Sequence, residues 1–235
     1  MPIVVVGHVD HGKSTVVGRL LADTGSLPDG KLEQVRELCR RTSKPFEYAF
    51  LLDALRDERD QGITIDAARV FFKSAARHYV VLDAPGHVEF LRNMVTGASR
   101  AEAALLVVDA REGVRENSRR HATLLSMLGV DHVAVLVNKL DLLDWSEAAF
   151  EAIASEMRAF LAKLGTTADA VVPISGLHGA NRATRAVETP WYTGPTVLEV
   201  LDGFPQRAPA GNAAFRMPVQ DVYRFTRFGD DRRIV

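Results

Sequence analysis

The sequence predicts an α/β fold, a doubly wound and mostly parallel sheet with one antiparallel strand. Three observations carry that expectation. Apolar runs rich in β-branched residues recur along the chain and are continuous rather than alternating, the pattern of strands covered on both faces. Amphipathic stretches of helical period separate most of them. The first run, "IVVV" at 3–6, opens straight into "GHVDHGKST" at 7–15, a glycine turn that leads into a helical pattern.

The other strands follow in order: "RVFF" at 69–72, "YVVLD" at 79–83, "AALLVVDA" at 103–110, "VAVLV" at 133–137 and "AVVPIS" at 170–175. Only a few residues separate the second run from the third, too few for a crossover helix, so these two should pair as an antiparallel hairpin. Residues 25–61 are polar and helical in pattern, with "KLEQVRELCRR" followed by "YAFLLDALRDERDQG". A structureless loop of that length is improbable in a compact domain, so two short helices are expected, with the "YAFLL" stripe turned to a core. In "SEAAFEAIASEMRAFLAKLG" an apolar face runs through Phe150, Ile153, Met157, Phe160, Leu161 and Leu164, with Ser146 as N-cap and Gly165 as stop. Residues 205–213, "PQRAPAGNA", read as a linker. Beyond it "FRMPVQDVYRF" and "RRIV" read as two strands joined by a turn, too few for a core of their own.

Composition bounds the function classes. The chain of 235 residues is 47% hydrophobic and 25% charged with a net charge of −1, so a core is affordable and no global basic field points to DNA. Cys39 is the only cysteine, which excludes an internal disulfide. The start lacks the charged n-region of a secretory signal, and no apolar run approaches the roughly 18 residues of a membrane helix. The expectation is a cytoplasmic protein without a membrane partner.

"GHVDHGKS" fits G-x-x-x-x-G-K-[ST] between a strand and a helix, the context that gives this motif meaning. Gly7 and Gly12 let backbone N–H groups crowd onto a phosphate, and the helix that follows adds unpaired N–H groups and the positive end of its dipole. His8, Val9, Asp10, His11 and Thr15 complete the loop. Lys13 would reach the β- and γ-phosphates and Ser14 would ligate Mg²⁺. Asp83 closes its strand where phosphoryl-transfer sites hold Mg²⁺, and it is followed by Ala84, Pro85, Gly86 and His87; the Gly86 N–H could meet a γ-phosphate. "NKLD" supplies Asn138, Lys139 and Asp141. A carboxylate at 141 can accept from both N1–H and the exocyclic amine of guanine, whereas adenine would leave it unpaired, a mismatch of up to about 10⁴. Asn138 would tie this loop to the phosphate loop, and the Lys139 stem would cover the base. Ser175, Gly176 and Leu177 end the last strand, where Ser175 and the next N–H groups could meet guanine O6. Each motif alone is weak to moderate. Their order, each at the carboxyl end of a strand, indicates a guanine nucleotide site.

At these residues the chain resembles the translation-type GTPases, through "GHVDHGKST", "ERDQGITID" (58–66), "DAPGHVEFLRNMVTGAS" (83–99) and "NKLD". The resemblance implies a P-loop GTPase G domain over residues 1–204 and, after the linker, a truncated β-barrel domain beginning at 214–235. It also implies GTP and Mg²⁺ as cofactors, with Ser14, Thr64 and Asp83 at the metal. Lys13, Thr64 and His87 become the catalytic residues, with His87 orienting the attacking water. Asp10 takes the place of a phosphate-loop carboxylate near a monovalent cation, and the helices at 25–61 become a switch segment. Within the family, "LDALRDERDQGITID", "DAREGVRENSRRH", "NKLDLLDWSEAAF" and "PWYTGPTVLEVLD" look like the GTPase subunit of bacterial sulfate adenylyltransferase. That resemblance implies a heterodimer with a catalytic subunit that makes adenylyl sulfate from ATP and sulfate, an uphill reaction to which GTP hydrolysis would be coupled. The alternative is an elongation-factor-like GTPase that delivers aminoacyl-tRNA to the ribosome. It shares "DAPGH" and "PWYTGPT", and it matches His8 and His11 in the phosphate loop. These two histidines are expected to be conformational or solvent-facing, and Arg119, Arg120 and His121 to form a solvated helix face.

Overall fold

The computed structural model describes residues 1–60, 69–83, 98–205, 223–224 and 233–234. The strands are β1 (Pro2–Gly7), β2 (Arg69–Lys73), β3 (His78–Asp83), β4 (Ala103–Asp109), β5 (His132–Asn138) and β6 (Ala170–Pro173). The helices are α1 (Lys13–Asp23), α2 (Lys31–Arg41), α3 (Ala49–Asp60), α4 (Glu116–Met127), α5 (Glu147–Lys163) and α6 (Val197–Gly203), with a 3-10 turn at Leu140–Leu143. The six strands form one sheet in the order β2-β3-β1-β4-β5-β6. All neighbours run parallel except β2 and β3, which pair antiparallel from Arg69 opposite Leu82 to Lys73 opposite His78. The expected α/β fold with one antiparallel strand is therefore found.

Continuous apolar runs follow from helices on both faces. Val4, Val6, Leu106, Val108, Val135 and Val137 point to the layer that holds α4 and α5. Ile3, Val5, Leu105, Val107 and Leu136 point the other way, onto Val16, Val17 and Leu20 of α1 and Val197 and Leu201 of α6. With every residue of β4 buried, alternation has no reason to appear.

α2 and α3 make a small core of their own around Val35, Cys39, Tyr48 and Leu51, so the "YAFLL" stripe is core as expected. In α5 the Ser146 hydroxyl accepts from Ala149 N–H at 3.3 Å, and Phe150, Ile153, Met157 and Leu161 are buried. Two residues of the expected face, Phe160, with the Arg119 guanidinium 5.8 Å from its ring centre, and Leu164, just past the end of α5, are only half-buried and pack at the rim of the same core. One expectation needs correction. His121 is 2% exposed, while Arg119 and Arg120 are exposed. Ser118, His121, Ala122 and Leu125 share the buried face of α4, so the helical period places His121 inward and its two neighbours outward.

Past the sheet, β7 (Tyr223–Arg224) and β8 (Arg233–Ile234) pair antiparallel; the linker from residue 206 on, and the rest of 214–235, lie outside the described residues. Among the described residues no helix is long and apolar enough to cross a membrane.

Candidate functional site

The strand order reverses beside β1, and the loops that leave the carboxyl ends of β1, β4, β5 and β6 meet there. This is where open α/β sheets bind ligands. The loop after β1 is tight. Asp10 and Gly12 have φ of 63° and 88°, and a Cβ at Gly12 would collide with the Asn138 amide, so glycine is required by both backbone and space. α1 begins at Lys13, and the N–H groups of its first turn have no intrahelical acceptor. The Lys13 ammonium donates to the carbonyls of Gly7 at 2.9 Å and His8 at 2.7 Å. Burial pushes its pKa down to about 8, with the Asp10 charge opposing. A cation held at a desolvated loop by two carbonyls is poised to exchange them for phosphate oxygens.

Asn138 joins this loop to the last one. Its Nδ2 donates to His11 O at 2.9 Å and its Oδ1 accepts from Gly176 N–H at 2.8 Å. Lys139, with φ of 63°, reaches back to donate to Asp10 O at 2.6 Å and pairs with Asp109 Oδ2 at 2.7 Å. Burial raises the Asp109 carboxyl, but hydrogen bonds from Lys139 and the Arg111 N–H, with the Lys139 charge, outweigh it and hold the pKa below its ordinary value. Asp141 stands at the mouth of the site, 3.8 Å from the exposed His178 imidazole.

The turn after β6 differs in detail from expectation. Gly176 N–H is turned inward to Asn138, and the fully buried Ser175 accepts from His178 N–H at 3.1 Å through its hydroxyl. Ser175 and Gly176 thus build the turn, and Leu177, half exposed, is the residue on its outer side. Of the two roles expected for the loop histidines, the conformational one fits. His11 is fully buried. Its Nδ1 lies 3.2 Å from Val107 O and its Nε2 3.5 Å from Glu112, and burial lowers its pKa. His8 Nδ1 lies 2.8 Å from the Asn117 amide.

Gly7, His8, Val9, Asp10, His11, Gly12, Lys13, Ser14, Thr15, Asn138, Lys139, Asp141, Ser175, Gly176 and Leu177 are thus gathered at one edge of the sheet. The backbone of Asp83 ends β3 beside β1, in register with Val5. Thr64, Ala84, Pro85, Gly86 and His87 lie outside the described residues. Sequence reasoning did not name Asp109, Glu112 or Asn117 as partners of the loop. All three lie in "DAREGVRENSRRH" at 109–121, which leaves the carboxyl end of β4 and carries only a resemblance, without a ligand-binding spacing of its own.

The residues present fit a nucleotide with Mg²⁺. The glycine cradle has no room for a Cβ, the lysine sits at a helix start, and Ser14 offers a hydroxyl in the first turn of α1. Residues 1–207 match the family described as the elongation factor Tu GTP-binding domain. Elongation factor 1-alpha of Pyrococcus woesei is 42% identical over 227 residues, covering 97% of this chain and 53% of its own length. The chain therefore spans about half the length of the curated relatives it matches. A structure of sup35 complexed with GDP is similar at a TM-score of 0.62 with 28% identity, over 95% of this chain and 49% of that one. The GTP-bound Ski7 GTPase-like domain of S. cerevisiae has a TM-score of 0.69 over 86% of this chain and 49% of its own; at 22% identity it speaks for the fold alone. The chain belongs to the elongation factor Tu GTP-binding domain family, whose cofactors are GTP and Mg²⁺.

Proposed function

We propose that this member of the elongation factor Tu GTP-binding domain family is a Mg²⁺-dependent GTPase of translation, an elongation-factor-like protein that delivers aminoacyl-tRNA to the ribosome. The observation that carries the nucleotide reading is the Asn138 clasp, which sets the phosphate loop and the Ser175–Leu177 turn at a fixed distance on either side of Asp141. The translation reading draws its support from the 42% identity to an elongation factor 1-alpha across nearly the whole chain.

In this reading Lys13 gives up the carbonyls of Gly7 and His8 for phosphate oxygens, and the N–H groups of the first turn of α1 bind the same anion. When bound, Mg²⁺ neutralises charge on the phosphoryl oxygens; Ser14, Thr64 and Asp83 would hold it. Asp141 accepts from guanine, the Lys139 stem lies over the base, and His87 aligns the attacking water. Catalysis is then positioning and charge neutralisation, slow until a partner completes the site.

Sulfate activation is a second reading, favoured by the stretch "DAREGVRENSRRH" at 109–121; the relatives weigh toward the elongation factor. Two measurements test the proposal. Asp141→Asn should lose guanine nucleotides and gain xanthine nucleotides by about 10²-fold or more, since the bidentate acceptor is replaced; an unchanged guanine preference removes the base-recognition assignment. The protein loaded with a non-hydrolysable GTP analogue should retain aminoacyl-tRNA and release it in the GDP form. Failure to do so, together with GTP-dependent formation of adenylyl sulfate beside an adenylyltransferase subunit, would replace translation with sulfate activation.

A further inference from the structure

Behind the residues that would touch the nucleotide, one network joins the 175–177 turn to the helix pair α2–α3. Arg19 of α1 donates from Nη1 to the carbonyl of Leu177 and from Nε to Asp23 Oδ1, both at 2.9 Å. Its guanidinium lies 4.4 Å from the centre of the Tyr48 ring. The second oxygen of Asp23 pairs with Arg182 Nη1 at 2.6 Å, and Arg182 is 1% exposed. Gly179 threads between the two guanidinium groups, where a Cβ would collide with Arg182 Nη2. The backbone N–H of Leu198 donates to Arg182 O at 2.9 Å, so the segment is also fastened to α6. Tyr48 in turn is pressed against α1, since a Cβ at Gly18 would collide with its carbonyl.

A buried guanidinium adds little net stability even when paired, and an apolar side chain would fill the space at lower desolvation cost. What the Arg19–Asp23–Arg182 triad does supply is direction. Arg19 uses two arms of a planar fork and one face at once, which lysine cannot do. All three contacts fix one carbonyl of the turn against one helix.

We propose that Arg19 is a positioning residue for guanine selection: it sets the Ser175–Leu177 turn, and through Tyr48 it makes that setting depend on how α3 docks on α1. The inference rests on the guanine-site reading above and adds to it a residue that the phosphate and base motifs do not contain. In that reading guanine O6 meets the turn, where Gly176 N–H and the Ser175 hydroxyl are already engaged within the fold and the Leu177 N–H is the donor, whereas the 2-amino group meets Asp141, so the two ends of the base report separately.

The test titrates the full chain, with Mg²⁺, against GDP, 6-thioguanosine diphosphate and inosine diphosphate. Thiocarbonyl sulfur is a poor acceptor at the O6 position, and inosine lacks the 2-amino group. Arg19→Ala should weaken GDP about tenfold, the scale of one charged hydrogen bond, and shrink the GDP to 6-thio-GDP ratio by a similar factor. The GDP to inosine diphosphate ratio should stay as in the wild type. Arg19→Lys, which keeps the charge beside Asp23 and loses the fork, should move the first ratio in the same direction. Tyr48→Leu should do the same by a smaller factor. Equal losses for all three nucleotides, or no loss, would overturn the positioning role; an unmoved ratio in Tyr48→Leu would overturn the dependence on α3. A wild type that binds ADP as tightly as GDP would instead bring down the guanine-site reading, and the inference with it.

Discussion

Asn138 serves two loops with one amide: its Nδ2 donates to His11 O and its Oδ1 accepts from Gly176 N–H. Because both partners are main-chain groups in a buried place, removing the side chain would strand two polar groups rather than delete one contact. His121 shows the opposite economy. It is buried on the inner face of α4, where a hydrogen bond with the Asn117 backbone only partly opposes the effect of burial. Burial, helped by the charges of Lys13, His8 and His11, pushes its pKa from the ordinary 6.5 down to about 4. Between those values the unfolded chain binds more protons than the native one, so stability rises with pH through this window and falls as pH drops from 6.5 to 4. The loss attributable to His121 should reach roughly 3 kcal/mol at the acid end. His11, lowered in the same direction by burial, adds to it. Urea unfolding at pH 7 and pH 4.5 checks this: His121→Gln should lose distinctly less stability than the wild type over that step, and parallel losses would show that other groups govern the acid limb.

At the scale of elements, α6 is the one whose formation depends most on its ends. Seven residues are too few for a helix to persist by propagation alone. It starts with a complete capping box: Thr196 N–H donates to Glu199 Oε2 at 2.7 Å and Glu199 N–H donates to the Thr196 hydroxyl at 3.3 Å. Its far end is tied to the β2–β3 hairpin, with the Tyr79 hydroxyl donating to Asp202 Oδ1 at 2.6 Å and Arg77 donating to the carbonyls of Asp202 and Phe204. Thr196→Ala should cost about 1 kcal/mol and lower the melting temperature by roughly 2–4 °C; a scanning melt with no shift would mean that the hairpin tie, with the bonds from Val197 and Leu198 N–H to the carbonyls of Asn181 and Arg182, holds the helix without the cap. The elements that could be read from sequence were those with a long or doubly covered pattern. β4 and β5 announce themselves by unbroken apolar runs, and α5 by its period, its Ser146 cap and the stop at Gly165. α6 is too short for a period to show. The site divides in the same way. Lys13, Asn138 and Asp141 are marked by local spacing, whereas Asn117 against His8 and Arg19 against Leu177 are contacts across 109 and 158 residues. No local pattern encodes such contacts, because nothing in either segment constrains its partner until the sheet is assembled. His121 was legible but misread: the period of Ser118, Ala122 and Leu125 already turned it inward.

Over the whole molecule, the stable part is the doubly covered sheet, and the proposed site consists of loops attached to one of its edges. The phosphate loop, the Asp109 corner, the Asn138–Asp141 segment and the 175–177 turn are linked to one another by a handful of polar contacts, Asn138 and Lys139 chief among them. A ligand that spans all four would bind the native state and have no site on the unfolded chain, so its affinity should appear as stability. With nucleotide at about a hundred times its dissociation constant the gain is roughly 2.7 kcal/mol, which for a chain of this size corresponds to a rise of about 5–10 °C in melting temperature. Mg·GDP should produce that rise. Chelation of Mg²⁺ at the same GDP concentration should reduce it, since the phosphate charge would then rest on Lys13 and the α1 N-terminus alone. ADP at matched concentration should give almost none, because Asp141 would face adenine without a donor. Equal shifts with GDP and ADP would sink the guanine reading and leave a phosphate-binding α/β domain of another specificity. A GDP shift that ignores chelation would keep the base site and remove Ser14 from the metal.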